Sequence, residues 1–252
     1  MISTISKKKA AIQIRNVEKK LFSYLFSNKV ATSVQIQRDI FKNISHQAMY
    51  KRLNLLIGLG YLTANYQREL KGRLVYSLTT KSLEEFVIGN SSSDLRQQLQ
   101  SNSILHDLDL VDIRSKIKTC KIVETYYTEN LIRSGITLID SEQIKEFRNF
   151  YFDAILKINK AGKIHFLALE YERTLKFSSR YQDYFKKVYS RPEVSAILYI
   201  CQNQKVLKKI QSFEQKEIQK NWPKVFYTTL DAILNNSNIT FLNLKNEKIT
   251  LE

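Results

Sequence analysis

The chain has 252 residues, 43% of them hydrophobic, enough apolar material for one large globular domain or two small ones. Lys and Arg number 40 against 24 Asp and Glu, and the formal charge of +16 calls for a polyanionic partner, with nucleic acid first and an anionic membrane surface second. No apolar run approaches the roughly 20 residues of a membrane span and the opening MISTISKKKAAIQIR has no signal-peptide core, so a cytoplasmic protein is expected.

Cys120 and Cys201 lie far apart in apolar runs, and His46, His106 and His165 are the only histidines. Neither a disulfide framework nor a zinc finger can be built from them. Charge is concentrated early: residues 1–88 carry 15 Lys and Arg against 5 acids, a net of +10, and the remaining chain only +6.

In chain order, VEKKLFSYLFSN (17–28) places Val17, Leu21, Tyr24 and Leu25 on one helical face. TSVQIQRDIF predicts a second helix with Thr32 or Ser33 as N-cap, and a third starts from the Ser45 cap, with Met49, Leu53 and Leu56 inward and Gly60 at its stop. Two β-rich runs, 61–67 and 73–78, flank a basic tip at 68–73. The order is that of a winged helix-turn-helix over 1–88. Its DNA-facing candidates are Gln47, Tyr50, Lys51, Arg52 and Asn54 on the third helix, with Arg68, Lys71 and Arg73 on the wing. A solvated helix face, or a protein-binding winged helix, is the plainer alternative.

GNSSSD opens a predicted linker over 89–103, and the second domain is expected over 104–252. Its predicted order is helix (104–118), strand (121–127), strand (149–158), strand (163–171), helix (178–189), strand (194–201), helix (203–220), strand (224–228) and helix (229–235). This is an α/β (α+β) domain, and a hairpin flanked by helices resembles the PD-(D/E)XK restriction-endonuclease-like core.

The hairpin carries carboxylates inside apolar runs, FYFDAILKI and GKIHFLALEYER. With a turn centred on Lys160 and Ala161, Asp153 faces Ala168 and lies diagonal to Glu170, and period-two alternation puts Glu170 and Glu172 on the same face. Three clustered carboxylates repel unless a cation neutralises them, and Mg²⁺ or Mn²⁺ suits an all-oxygen set that acts on phosphodiesters. Glu172 stands where the nuclease pattern D…ExK has Lys. The alternative is that the glutamates pair with Arg173, Lys176 or Arg180 at a strand end.

Taken together, these pieces resemble the replication-relaxation proteins, which include the MobC-type relaxases of mobilisable plasmids. The resemblance covers about residues 15–235 and rests on the helix-turn-helix ending in YSLTTKSLEEF, LHDLDLVDIRSKI, TEN around Glu129, FYFDAIL, FLALEYERTLKFSSRYQDYFKKV, ILYICQNQKVLKKI and VFYTTLDAIL. It implies a plasmid or mobile-element protein acting in mobilisation or replication as a metal-dependent, origin-nicking relaxase or endonuclease. Asp153, Glu170 and Glu172 would be metal ligands, Lys176 a phosphate contact, Glu129 an additional ligand, and His106 a phosphate contact or acid/base group. Tyr181, Tyr184 and Tyr189 are candidate nucleophiles that packing explains equally well. Expected partners are double-stranded DNA, single-stranded DNA, a second copy of the chain, or mobilisation and replication proteins. Two other readings stand beside this one: a non-catalytic replication initiator or transcription regulator with a degenerate nuclease-like domain, and a partner adaptor that uses its charge for solubility.

Overall fold

The computed structural model describes residues 13–87, 101–134, 140–145, 147, 150–191, 194–218 and 222–252. The segment GNSSSD, expected as a boundary, lies outside the described residues. The described chain is mixed α/β, with helices and two sheets.

The first unit opens with α1 (Asn16–Asn28), whose Leu21, Phe22, Leu25 and Phe26 are all buried. A short strand β1 (Val30–Thr32) then leads into α2 (Ser33–Asp39). Thr32 caps α2 by accepting from the Gln35 amide, while the Gln35 side chain accepts from the Thr32 amide. Ser45 caps α3 (His46–Gly58), which buries Met49, Leu53 and Leu56 at the expected spacing. The hairpin of β2 (Leu62–Gln67) and β3 (Arg73–Leu78) follows, then α4 (Thr80–Phe86). β1 joins the far side of β3, giving the order β1-β3-β2, all antiparallel. Sequence periodicity does not find β1, because three residues are too few to show alternation.

The second unit is built on α5 (Ile104–Ile117), β4 (Val123–Thr128), α6 (Glu129–Arg133), α7 (Ser141–Lys145), β5 (Ala154–Lys160), β6 (Lys163–Glu172), α8 (Ser178–Tyr189), β7 (Ile197–Cys201), α9 (Gln204–Glu217), β8 (Val225–Thr229) and α10 (Leu230–Asn235). Two further strands, β9 (Ile239–Leu242) and β10 (Lys248–Leu251), extend the sheet beyond the expected elements. Its order is β10-β9-β8-β7-β6-β5-β4, with β6, β7 and β8 mutually parallel and the other pairs antiparallel. Both faces of the sheet are covered. One packs Ile155, Ala168, Ile197 and Tyr199 against Phe185 of α8 and Ile210 of α9; the other packs Leu156, Leu169, Leu198 and Ile200 against Ile117 of α5 and Ile233 of α10. Double coverage explains why the central strands read as nearly continuous apolar runs.

The β5–β6 turn corrects the expected register. Lys160 pairs with Lys163, so the two-residue turn is Ala161-Gly162, with φ of 52° and 79°. Two successive positive φ angles make the type I′ turn that suits hairpin twist. Ala154 is opposite Leu169, and the same register puts Asp153 opposite Glu170 rather than Ala168. The shift is two residues, so the expected face is unchanged. Asp153 itself sits in a bend just before β5, not inside the strand.

The two units meet along α5 and α6. Arg38 Nη1 donates to Asp112 at 2.7 Å, Gln35 Nε2 to the Leu108 carbonyl at 2.9 Å, Arg114 to Asn28 at 3.1 Å, and Asn130 to the Phe26 carbonyl at 2.7 Å.

Candidate functional site

β5 starts at Ala154, two residues short of facing Tyr171, so the end of β6 is paired with β7 through Ile200 but lacks a partner on its β5 side. Side chains supply the missing bonds. The Tyr171 amide donates to Asp153 Oδ2 at 2.8 Å, and the Tyr171 carbonyl accepts from His106 Nε2 at 3.1 Å. That nitrogen is also 3.5 Å from Asp153 Oδ2, while His106 Nδ1 is 3.3 Å from Asp107 Oδ1. The imidazole stacks on the Tyr171 ring with centroids 5.2 Å apart. Burial disfavours the imidazolium, but its bonds to Asp107 and Asp153 outweigh that and push the His106 pKa up to about 10. At neutral pH His106 is therefore charged, with both ring nitrogens donating.

Glu170 lies across the hairpin from Asp153. Its Oε2 is enclosed and has no hydrogen-bond partner among the described residues. Burial first, then the charge of Asp153 and more weakly that of Glu172, raises the Glu170 pKa well above the ordinary carboxylate range; Lys176 and His106 pull the other way. The Tyr184 hydroxyl is likewise enclosed and unpartnered, and its pKa is raised by burial and then by Glu170.

Glu172 shares the Glu170 face but is already matched. It is buried, and the Lys176 ammonium is 3.2 Å from its Oε1. Lys176 is held in turn through its backbone amide, which donates to the Tyr181 hydroxyl at 2.9 Å. Glu129 begins α6 and is bonded to the site through its backbone: its amide donates to the Asp153 carbonyl at 2.9 Å. The Glu129 carboxylate lies between Lys29 at 2.7 Å and Arg133 at 2.8 Å.

The expected three-carboxylate ligand set is not assembled among the described residues, where no group of three or more His, Cys, Asp or Glu side chains is placed to hold a metal ion. The reason is local: Asp153 is bonded to the Tyr171 amide and Glu172 to Lys176. What remains is a pair, Asp153 and Glu170, with one buried oxygen of Glu170 uncommitted. Mg²⁺ is commonly held by one or two carboxylates together with water and substrate phosphate, so a pair is compatible with a cation completed by nucleic acid.

In the first unit, Gln47, Tyr50, Lys51 and Asn54 are exposed on α3, and Arg68, Lys71 and Arg73 are exposed at the hairpin tip. Tyr50 and Ser33 share a 2.8 Å hydroxyl contact. Arg52 departs from the expected exposed face. Its guanidinium turns inward to Glu18, a carboxylate only 1% exposed, and also donates to the Gln13 carbonyl at 3.1 Å. A buried acid needs a cation, and Arg52 supplies it.

Residues that pattern reading passes over are Asp107, Asp109 and Lys29. Asp109 accepts from the Tyr171 hydroxyl at 2.6 Å and pairs with Arg173. On a helix whose charged and apolar residues are intermixed, no spacing rule singles these acids out. No known protein-family model, curated protein or solved structure matches the chain.

Proposed function

We propose that the chain is a DNA-binding protein of a plasmid or other mobile element, acting in mobilisation or replication, with a first unit that docks on duplex DNA as a winged helix-turn-helix. The second unit then engages a phosphodiester in a restriction-endonuclease-like, metal-dependent site that nicks the strand. The observation that carries the second half is the Asp153–Glu170 pair, with a buried Glu170 oxygen left uncommitted at the end of the central strand. The order α5, β4, β5, β6, α8 and β7, with the short α6 and α7 inserted between β4 and β5, supports the same reading, since a hairpin flanked by helices is what that core would need.

Each group has a part. Gln47 and Asn54 are suited to base edges, and Lys51, Arg68, Lys71 and Arg73 to phosphates. Asp153 and Glu170 would hold Mg²⁺ or Mn²⁺, which when bound neutralises phosphate charge and lowers the pKa of a water. Lys176 keeps the Glu172 charge balanced and stands near enough to the pair to bias Glu170 towards ionisation. His106 fixes the Tyr171 carbonyl and the Asp153 carboxylate in orientation.

A second reading is favoured by one specific observation: Glu172 and Asp153 both have internal partners. In it the protein is a non-catalytic initiator or regulator and the acids serve the fold. Supercoiled plasmid carrying the protein's own origin, incubated with Mn²⁺ or Mg²⁺, separates the two. The nuclease reading expects open circles from wild type and none from Asp153→Asn or Glu170→Gln. Intact plasmid with wild type under every metal condition, alongside retained duplex binding, would establish the second.

A further inference from the structure

The residue after α1 is where helices prefer glycine, because the chain turns there through positive φ. This chain has Lys29, at φ 64° and ψ −50°. A side chain on such a backbone is strained, and strain of this kind persists where the surroundings hold it. Here they do. Lys29 is 19% exposed, and its ammonium is 2.7 Å from Glu129 Oε2 on the second unit. It lines a cavity of about 20 Å³ together with Asp107, Thr128, Glu129 and Asp153. Asp107 Oδ2 and Thr128 Oγ1 in that lining are enclosed without a partner among the described residues.

We propose that Lys29 is a positioning residue for the Asp153 site, inserted by the first unit to hold Glu129 and, through the Glu129 amide, the Asp153 backbone. Burial opposes the ammonium, yet the charges of Asp107, Glu129 and Asp153 raise its pKa, so the cation is kept. Arg133 grips the other Glu129 oxygen from within α6 and His106 faces Asp107 and Asp153 from α5, so Lys29 is the part of this array that comes from the DNA-docking unit. The inference rests on the proposed function for what the site does, but not for whether Lys29 organises it.

Hydrogen exchange of the full chain, without DNA or metal, tests it in Lys29→Met, Lys29→Gly and Lys29→Arg. Exchange in peptides covering 126–133 and 150–156 should quicken several-fold in the Met and Gly variants and return to the wild-type rate with Arg. The Gly variant should do so without unfolding at a lower temperature than the Met variant, since it relieves the backbone. Unchanged exchange in both Met and Gly variants would overturn the proposal, as would an Arg variant as fast as Met, which would mark a packing role instead. Duplex affinity and plasmid nicking are read on the same proteins. Quickened exchange with a wild type that never nicks sinks the nuclease reading while leaving Lys29 its role, and unchanged exchange with nicking intact does the reverse.

Discussion

Glu170 is the residue whose chemistry most separates this site from ordinary packing. A carboxylate whose folded pKa is raised favours the protonated state in the fold, so its ionisation works against folding. Its contribution is most favourable below the unfolded value of 4.5 and is lost progressively as pH rises towards the raised folded value. Glu170→Gln keeps the shape and removes the charge. It should therefore stabilise the metal-free protein at pH 8 by on the order of 1 kcal/mol and leave it nearly unchanged at pH 4. Urea unfolding at the two pH values checks this, and a loss of stability at pH 8 would mean that the Glu170 charge is satisfied. His106 has the opposite sign. Its pKa rises from 6.5 to about 10, so its contribution is complete below pH 6.5 and disappears as pH climbs through about 10. His106→Gln should cost roughly 2 kcal/mol at pH 6 and much less at pH 10, by the same unfolding measurement.

At the scale of the element, the β5–β6 turn decides which carboxylates meet. Ala161 adopts φ 52° in a position where Asn is preferred and a β-carbon is strained. Ala161→Asn, giving Asn-Gly, should raise stability by about 0.5–1 kcal/mol without moving the register. A drop in thermal midpoint would indicate that the turn is not of this type. The same turn shows what sequence can carry. The alternation of β6 placed Glu170 and Glu172 on one face correctly, and parity survived an error in the turn because the error was two residues. Caps and apolar spacing similarly located α1, α2, α3 and the hairpin, since those signals are local. Asp153 lying outside its strand and Arg52 turning to Glu18 were not legible, because each depends on tertiary packing, whereas the Glu172–Lys176 pair, four residues apart, is within reach of spacing and is the alternative the sequence itself offers. β9 and β10 are illegible for another reason: strands of four residues carry little periodicity.

For the whole molecule, the distribution of charge is the feature from which a quantitative expectation follows. The net +10 of residues 1–88 already counts the Arg52–Glu18 and Arg38–Asp39 pairs, and acids of the second unit offset part of the rest: Asp112 pairs with Arg38 and Glu129 with Lys29. Exposed cations remain on α3 and at the hairpin tip, among them Lys51, Arg68, Lys71 and Arg73. On binding duplex DNA each of these that meets a phosphate releases condensed counterion, and the slope of log affinity against log salt steepens by about 0.9 per contact. Replacing Arg68, Lys71 and Arg73 together by Gln should therefore flatten that slope by about 2–3 and weaken binding by a similar factor on every duplex sequence. Gln47→Ala or Asn54→Ala should leave the slope alone and act on sequence preference, by about 1–3 kcal/mol at the base pair each reads. Fluorescence anisotropy across a salt series distinguishes these effects. An unchanged slope in the triple variant would place the DNA elsewhere on the molecule.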